Sequence, residues 1–158
     1  MVKTNAMRML DKAKIEYEAI EYKYDENDLS GTSIAKEANL DVDMVFKTLV
    51  AKGDKTGYLV FCIPVAKEVD LKKAAKESGN KKVEMVHVKD LLGITGYIRG
   101  GCSPVGMKKK FPTYFDLACN EQSKICVSAG VRGCQLKIDT KTLCTFVDAS
   151  VCDLTVEG

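Results

Sequence analysis

The chain has 158 residues, of which 46% are hydrophobic and 29% charged, and its formal net charge is +2; this size and composition predict one globular domain over residues 1–158. It contains no run of about 18 uncharged apolar residues, which excludes a membrane-spanning helix, and residues 1–11 lack the apolar segment of a secretory signal, so we expect a cytoplasmic protein. The small net charge argues against a protein that binds nucleic acid through strong overall basicity.

The first 44 residues are predicted to contain a helix, a strand and a second helix. Asn5 can cap the first helix, whose apolar positions are Ala6, Met9, Leu10 and Ala13. Alternating residues predict a strand over 17–24. Gly31 opens a short helix, and Asp41 begins a further turn.

The remainder of the chain is predicted to be richer in strands. Segments 45–51 and 58–64 flank a glycine-containing connector, which is typical of a β-hairpin. Asp70 caps a helix over 71–78, and Gly79 ends it. Short helices are also predicted near Leu91 and from residue 139 or 140 to 146, and strands at 82–87, 113–117, 125–128, 135–138 and 151–156. This irregular alternation predicts an α+β domain with a mixed, mainly antiparallel sheet and peripheral helices.

Cysteine and histidine usage bears on metal binding and on nucleophilic catalysis. The seven cysteines include no C-x-x-C pair and His87 is the one histidine, so we expect no metal site and no cofactor. Reduced and mostly buried thiols are the expectation for the cysteines. Cys102 differs from the other cysteines because it lies inside a glycine-rich run, which makes it a candidate nucleophile. A nucleophilic thiol would need a base or a cation beside it.

Two glycine-rich runs, residues 95–106 and 128–133, are candidate ligand-binding turns. Gly100 and Gly101 have no Cβ, so the backbone there can approach a bound group closely. Each run contains one of the three arginines of the chain, Arg99 and Arg132. Phosphate or carboxylate oxygens suit such donor-rich turns. Two tight hairpin turns without a ligand are the alternative interpretation.

Lys47 lies in an otherwise apolar or β-branched segment. Strand alternation puts it on the same face as Val45 and Leu49. A lysine in such a setting must meet an anion or have its pKa lowered, so we predict a ligand phosphate or carboxylate as its partner. The alternative is that the side chain extends to solvent at the end of the strand.

A group of lysines forms a weaker candidate for contact with a polyanion. Its members are Lys72, Lys73, Lys76, Lys81 and Lys82. Lysine acts on phosphate as a point charge. A solvated face is the alternative.

Seven runs along the chain resemble the YbaK/EbsC family of aminoacyl-tRNA deacylases, which is related to the editing domain of bacterial prolyl-tRNA synthetases. They are residues 3–8, 46–49, 70–75, 81–85, 95–97, 100–104 and 128–133. The resemblance implies a single YbaK-like domain with a barrel-like sheet. It also implies hydrolysis of mischarged Cys-tRNA(Pro) in trans, with mischarged tRNA(Pro) and prolyl-tRNA synthetase as expected partners.

The resemblance also implies roles for individual residues. The essential lysine of the family corresponds to Lys47, which would meet the terminal adenosine and its phosphate, and Gly101 would orient the substrate. The substrate-binding positions implied by the resemblance are Tyr22, Gly100, Ser128, Gly130, Arg132 and Gln135. At Gln135 the family often has an aspartate able to pair with the substrate ammonium, and an uncharged amide loses that charge-assisted bond.

The residues and the resemblance therefore indicate three candidate functions. The first is deacylation of Cys-tRNA(Pro), in which the thiol of the substrate attacks its own carbonyl and leaves as a thiolactone. The second is hydrolysis of another ester, such as Ala-tRNA(Pro), by water. The third is a non-catalytic module that binds tRNA or a synthetase.

Overall fold

The computed structural model describes residues 2–157, in which eight strands form two sheets. The larger sheet has the order β4-β2-β3-β5-β8, with β2 (Phe46–Gly53), β3 (Gly57–Pro64), β4 (Val83–Met85), β5 (Thr113–Asp116) and β8 (Ser150–Cys152). Its β4-β2-β3 part is antiparallel, whereas β3-β5-β8 is parallel. The smaller sheet is antiparallel, with the order β1-β7-β6, formed by β1 (Glu18–Glu21), β6 (Lys124–Ser128) and β7 (Cys134–Asp139).

In the described part of the chain, five short helices surround the sheets: α1 (Asn5–Lys12), α2 (Gly31–Glu37), α3 (Leu71–Ser78), α4 (Val88–Thr95) and α5 (Thr140–Phe146). Two 3-10 turns lie at Val42–Met44 and Leu117–Glu121. No helix in residues 2–157 is long and apolar enough to span a bilayer. The α+β prediction with a mixed, mainly antiparallel sheet is confirmed, and the two sheets approach each other as in an open barrel, joined by a bridge between Val45 and Cys126.

The two faces of the larger sheet bury different apolar clusters. One face packs Phe46, Val60 and Phe115 against the smaller sheet, α1 and α5. The other packs Leu59 and Phe61 against α3. Strand alternation produces this division, because successive residues of β3 point to opposite faces. β2, the strand that carries Lys47, contributes Phe46 to the first cluster and Ala51 to the second.

Capping residues explain why α3 begins and ends where the sequence predicts. Asp70 accepts hydrogen bonds from the backbone N–H groups of Lys72 and Lys73, and Gly79 ends α3 with a left-handed φ of 76°. The start of α1 differs from the prediction, because the Thr4 hydroxyl, not Asn5, accepts from Met7. Met7 is buried and Met9 is exposed, which also differs from the predicted apolar face. The last strand is also shorter than predicted and ends at Cys152.

Asn80 is a buried polar residue that fixes the β2–β3 hairpin. Its Oδ1 accepts from the backbone N–H groups of Lys55 (2.8 Å) and Thr56 (3.1 Å), and its Nδ2 donates to Ser78 Oγ at 2.8 Å. A Cβ on Gly53 would lie 2.3 Å from this side chain, so the hairpin needs glycine there.

We expect Asn80→Ala to lower the free energy of unfolding by about 2–3 kcal/mol, because it leaves two backbone donors without an acceptor. Urea denaturation measures this change. Asn27→Ala, at an exposed position, is the control and should change stability by less than about 0.5 kcal/mol. A loss at Asn80 no larger than that of the control would contradict this role.

Candidate active site

A pocket of about 480 Å³ lies beside β2, between the two sheets. Its walls are β2 residues 46–50, the start of α2, the β4–α4 segment, the turn at Arg99–Cys102, and the ends of β6 and β7. It is large enough for a small ligand. Four predicted site residues line it: Lys47, Gly100, Ser128 and Gln135.

The pocket follows an open part of the edge of β2. On that edge β4 pairs with residues 51–53, and the Val86 N–H donates to Val50 O at 3.1 Å. Two residues earlier, the N–H and C=O of Thr48 point to the same side, where residues 2–157 supply no hydrogen-bonding partner. This edge therefore offers a free donor and a free acceptor to a ligand.

Lys47 brings a positive charge to the pocket. Its side chain is half-buried, and within the described residues no acidic side chain forms an ion pair with it. Its strand partner Ile63 is completely buried. A partly desolvated ammonium without a protein counterion favours an anionic ligand.

The two glycine-rich turns pack against each other. The Nε–H of Arg132 donates to Arg99 O at 2.9 Å. A Cβ on Gly101 would lie 3.1 Å from Val131 C and 3.2 Å from Arg132 N, so glycine permits this close approach. The Gly101 N–H already donates to Ile98 O at 2.9 Å.

The predicted members of the turns thus fall into two groups. Gly100 lines the pocket with a left-handed φ of 85°. Gly101, Gly130 and Arg132 lie outside the lining and hold the turns together. Gly130 has a φ of 100°, and a Cβ there would lie 2.8 Å from the Tyr97 ring.

Ser128 and Gln135 are cross-strand neighbours on β6 and β7 and both face the pocket. The Ser128 hydroxyl accepts from the Gly130 N–H at 3.1 Å, so its proton remains free for a ligand. Gln135 is 3% exposed, and its Oε1 has no hydrogen-bonding partner among residues 2–157. A buried acceptor without a partner costs about 1–3 kcal/mol, and its position in the pocket points to a ligand donor.

Tyr22 lies next to this pair, outside the pocket lining. Its N–H donates to Gly133 O at 2.9 Å. Burial raises the pKa of its phenol, although hydrogen bonds from the Gly133 backbone and the Gln135 amide act in the opposite direction. The hydroxyl is therefore protonated at neutral pH, beside the Gln135 amide.

The thiol of Cys102 is a poor nucleophile. Cys102 lines the pocket but is only 8% exposed, and burial raises the pKa of its thiol to about 12. His87 is exposed and does not line the pocket. Among residues 2–157, no group of three His, Cys, Asp or Glu side chains is arranged to hold a metal ion.

The predicted lysine group is divided by ion pairs. Lys73 Nζ lies 2.9 Å from Asp153 and 3.7 Å from Glu157, and Lys82 Nζ lies 2.8 Å from Glu84. These two ammonium groups serve contacts within the protein. Lys72, Lys76 and Lys81 form no ion pair within the described part of the chain.

The sequence patterns missed two walls of the pocket. The first is the start of α2, where a Cβ on Gly31 would lie 2.3 Å from Val65. The second is formed by Met85, Val88 and Leu91. Neither segment carries a recognisable motif, and the partial exposure of Met85 and Val88 becomes visible only in the folded chain.

Comparison with known proteins adds a family and a fold. A model of the aminoacyl-tRNA editing domain matches residues 30–146. A protein of Enterococcus faecalis described as "Putative Cys-tRNA(Pro)/Cys-tRNA(Cys) deacylase EbsC" is 48% identical over 155 residues, covering 98% of this chain and 94% of its own length.

Two solved structures have the same fold. One, described as "a putative trans-editing enzyme for prolyl tRNA synthetase", has a TM-score of 0.84 at 21% identity and covers 99% of this chain and 100% of its own. The other, a hypothetical protein, has a TM-score of 0.87 at 16% identity and covers 97% and 100%. At these identities the two structures bear on the fold alone.

Proposed function

This chain belongs to the aminoacyl-tRNA editing domain family, and from that premise we propose that it is a trans-acting deacylase that removes cysteine from mischarged Cys-tRNA(Pro). The substrate is suggested by the name of the Enterococcus faecalis relative, which shares 48% of its residues over almost the whole chain. The family match over residues 30–146 includes the pocket residues Lys47, Ser128 and Gln135. Prolyl-tRNA synthetase, which would supply the mischarged tRNA, is the expected protein partner.

The observation that carries the proposal is the pairing of two unsatisfied groups in one pocket. Within residues 2–157, Lys47 supplies a cation without a counterion, and Gln135 supplies a buried acceptor without a donor. The end of an aminoacyl-tRNA carries the complementary groups, a phosphate and an α-ammonium. We assign the terminal adenosine phosphate to Lys47 and the ammonium to Gln135 Oε1, with the Tyr22 hydroxyl beside it.

The remaining polar groups would orient the ester. Among the described residues, the Ser128 hydroxyl proton and the backbone N–H of Gly100 have no hydrogen-bonding partner, and both residues line the pocket. Directed at the carbonyl oxygen, they would stabilise the negative charge that develops there. Gly101 acts indirectly, because it lets the turn pack against Val131 and Arg132 and so holds Gly100 in place.

The chemistry itself can come from the substrate. Cys102 is protonated at neutral pH, and His87 lies outside the pocket lining, so the pocket has no activated nucleophile. The thiol sulfur of the cysteinyl group attacks its own carbonyl carbon, a C–S bond forms, and the C–O bond to the ribose breaks. The thiol proton passes to the ribose oxygen, which gives free tRNA and a four-membered thiolactone. Positioning and electrostatic stabilisation are the contributions of the protein.

Two alternatives remain as separate outcomes. Water in place of the thiol would hydrolyse another ester, such as Ala-tRNA(Pro), because the free donors suit any acyl group. A binding module without catalysis would use the same Lys47 contact and leave the ester intact.

A single-turnover panel of Cys-, Ser-, Ala- and Pro-tRNA(Pro) with the purified protein tests the proposal. We expect the cysteine ester to be lost at least about 100-fold faster than the serine ester, since only the thiol cyclises efficiently. Equal rates for cysteine, serine and alanine would favour attack by water. Retention of every ester while the tRNA stays bound would make the protein a binding module.

A further inference from the structure

An exposed apolar surface extends outward from one rim of the pocket. It consists of Met85, Val88, Leu92 and Ile98, which are 39–61% exposed. Val88 and Leu92 are four residues apart on α4 and therefore lie on the same side of the helix. Because Met85 and Val88 also line the pocket, this α4 surface is continuous with it.

Three basic side chains lie near the last turn of α4, at the end of the α4 surface that contains Ile98. Arg99 lines the pocket, and Arg132 bonds to the Arg99 carbonyl. The Lys108 N–H donates to Thr95 O at 3.0 Å, and a Cβ on Gly96 would lie 3.2 Å from Lys108 Cγ, so this lysine packs on the last turn of α4. None of the three cations forms an ion pair within residues 2–157.

Two acidic side chains also lie at or next to the pocket. Glu68 lines the pocket close to Val65, against which the start of α2 packs. Asp28 precedes the lining residues Leu29 and Ser30 and accepts a hydrogen bond from the Ser30 N–H. Leu29 packs against Gly100 beside Arg132, so Asp28 lies near the glycine-rich turns. The side of the pocket formed by the glycine-rich turns therefore holds three cations and one nearby carboxylate, and this excess of positive charge attracts phosphates.

We propose that the α4 surface binds the unpaired nucleotides that precede the terminal adenosine of the tRNA. The inference rests on the proposed function, which puts the terminal adenosine in the pocket. The preceding nucleotides must leave across a rim, and their phosphodiesters favour the side with Arg99, Arg132 and Lys108. Their base faces can then cover Leu92 and Ile98, which removes apolar surface from water.

Binding of a fluorescent acceptor-stem minihelix tests this assignment, because it does not require hydrolysis. The minihelix is used with its unpaired CCA end and with that end removed. We expect Leu92→Glu and Leu92→Ser to weaken binding of the CCA-ended form by about tenfold and about threefold respectively, and to leave the truncated form unchanged. Leu117→Glu is the matched control, since Leu117 is 48% exposed on a distant 3-10 turn.

A second measurement separates this inference from the proposed function. Cysteinyl-adenosine 5′-phosphate keeps the phosphate assigned to Lys47 but has no preceding nucleotides, so its rate of hydrolysis should be the same for the wild type and Leu92→Glu within about twofold. If the wild type cleaves no cysteinyl ester, the proposed function fails, while the binding experiment still tests the surface.

Three results would overturn the inference. One is equal weakening by Leu117→Glu, which would indicate general charge repulsion. Another is equal weakening for both minihelices, which would place the effect elsewhere on the stem. The third is unchanged RNA binding together with lost binding to purified prolyl-tRNA synthetase, which would make the α4 surface a protein interface.

Discussion

Replacing Lys47 by alanine is expected to lower kcat/KM for Cys-tRNA(Pro) deacylation by about 100-fold or more. The substitution removes the half-buried cation that we assign to the terminal phosphate, and a well-oriented charged contact of this kind is worth about 3 kcal/mol. The fold should persist, because Lys47 forms no ion pair within residues 2–157. Single-turnover kinetics and circular dichroism on the same preparation measure both quantities.

Two variants control the Lys47 experiment. Lys47→Arg retains the charge and should recover part of the activity. Lys52→Ala removes a lysine from the same strand whose ammonium lies 5.6 Å from the Tyr58 ring, outside the pocket, and should stay within about twofold of the wild type. Full activity in Lys47→Ala would show that Lys47 does not bind the terminal phosphate.

Replacing Gln135 by leucine is expected to separate stability from activity. The substitution removes the buried Oε1 that has no partner among the described residues, so the free energy of unfolding should be unchanged or rise by up to about 1 kcal/mol. Deacylation should fall by about 10- to 100-fold, because the substrate ammonium loses its acceptor. Urea denaturation and single-turnover rates give the two values.

A substrate whose amino group is acetylated tests whether Gln135 recognises the ammonium. N-acetyl-Cys-tRNA(Pro) carries no ammonium, so the wild type should cleave it about 10- to 100-fold more slowly than Cys-tRNA(Pro). Gln135→Leu should cleave the two substrates at similar rates. Gln122→Leu is the matched control and should keep the discrimination of the wild type. Discrimination retained in Gln135→Leu would show that another group binds the ammonium.

Elements with local signals were predictable from the sequence. The β2–β3 hairpin, with glycines at both ends of its connector, and α3, between Asp70 and Gly79, have the predicted positions. Their capping and turn residues are close in sequence to the elements they end. The α1 cap was wrong by one residue, because threonine and asparagine at adjacent positions both suit a cap and packing of Met7 decided between them.

The candidate site was predictable where a residue type was out of place. A lysine is unusual at position 47 of an apolar strand, and the adjacent glycines Gly100 and Gly101 indicate a close backbone approach. Lys47 and Gly100 line the same pocket. The apolar wall at Met85, Val88 and Leu91 had no such signal. The ion pair between Lys73 and Asp153 was also not predictable, since 80 residues separate the two in sequence.

A crystal structure of the protein with a non-hydrolysable amide analogue of cysteinyl-adenosine 5′-phosphate would test the roles of Lys47 and Gln135 together. We expect the phosphate to lie within about 3 Å of Lys47 Nζ and the ammonium within about 3 Å of Gln135 Oε1. An analogue bound away from the edge of β2, or bound in the pocket with its ammonium far from Gln135, would contradict both the proposed site and the proposed orientation of the substrate.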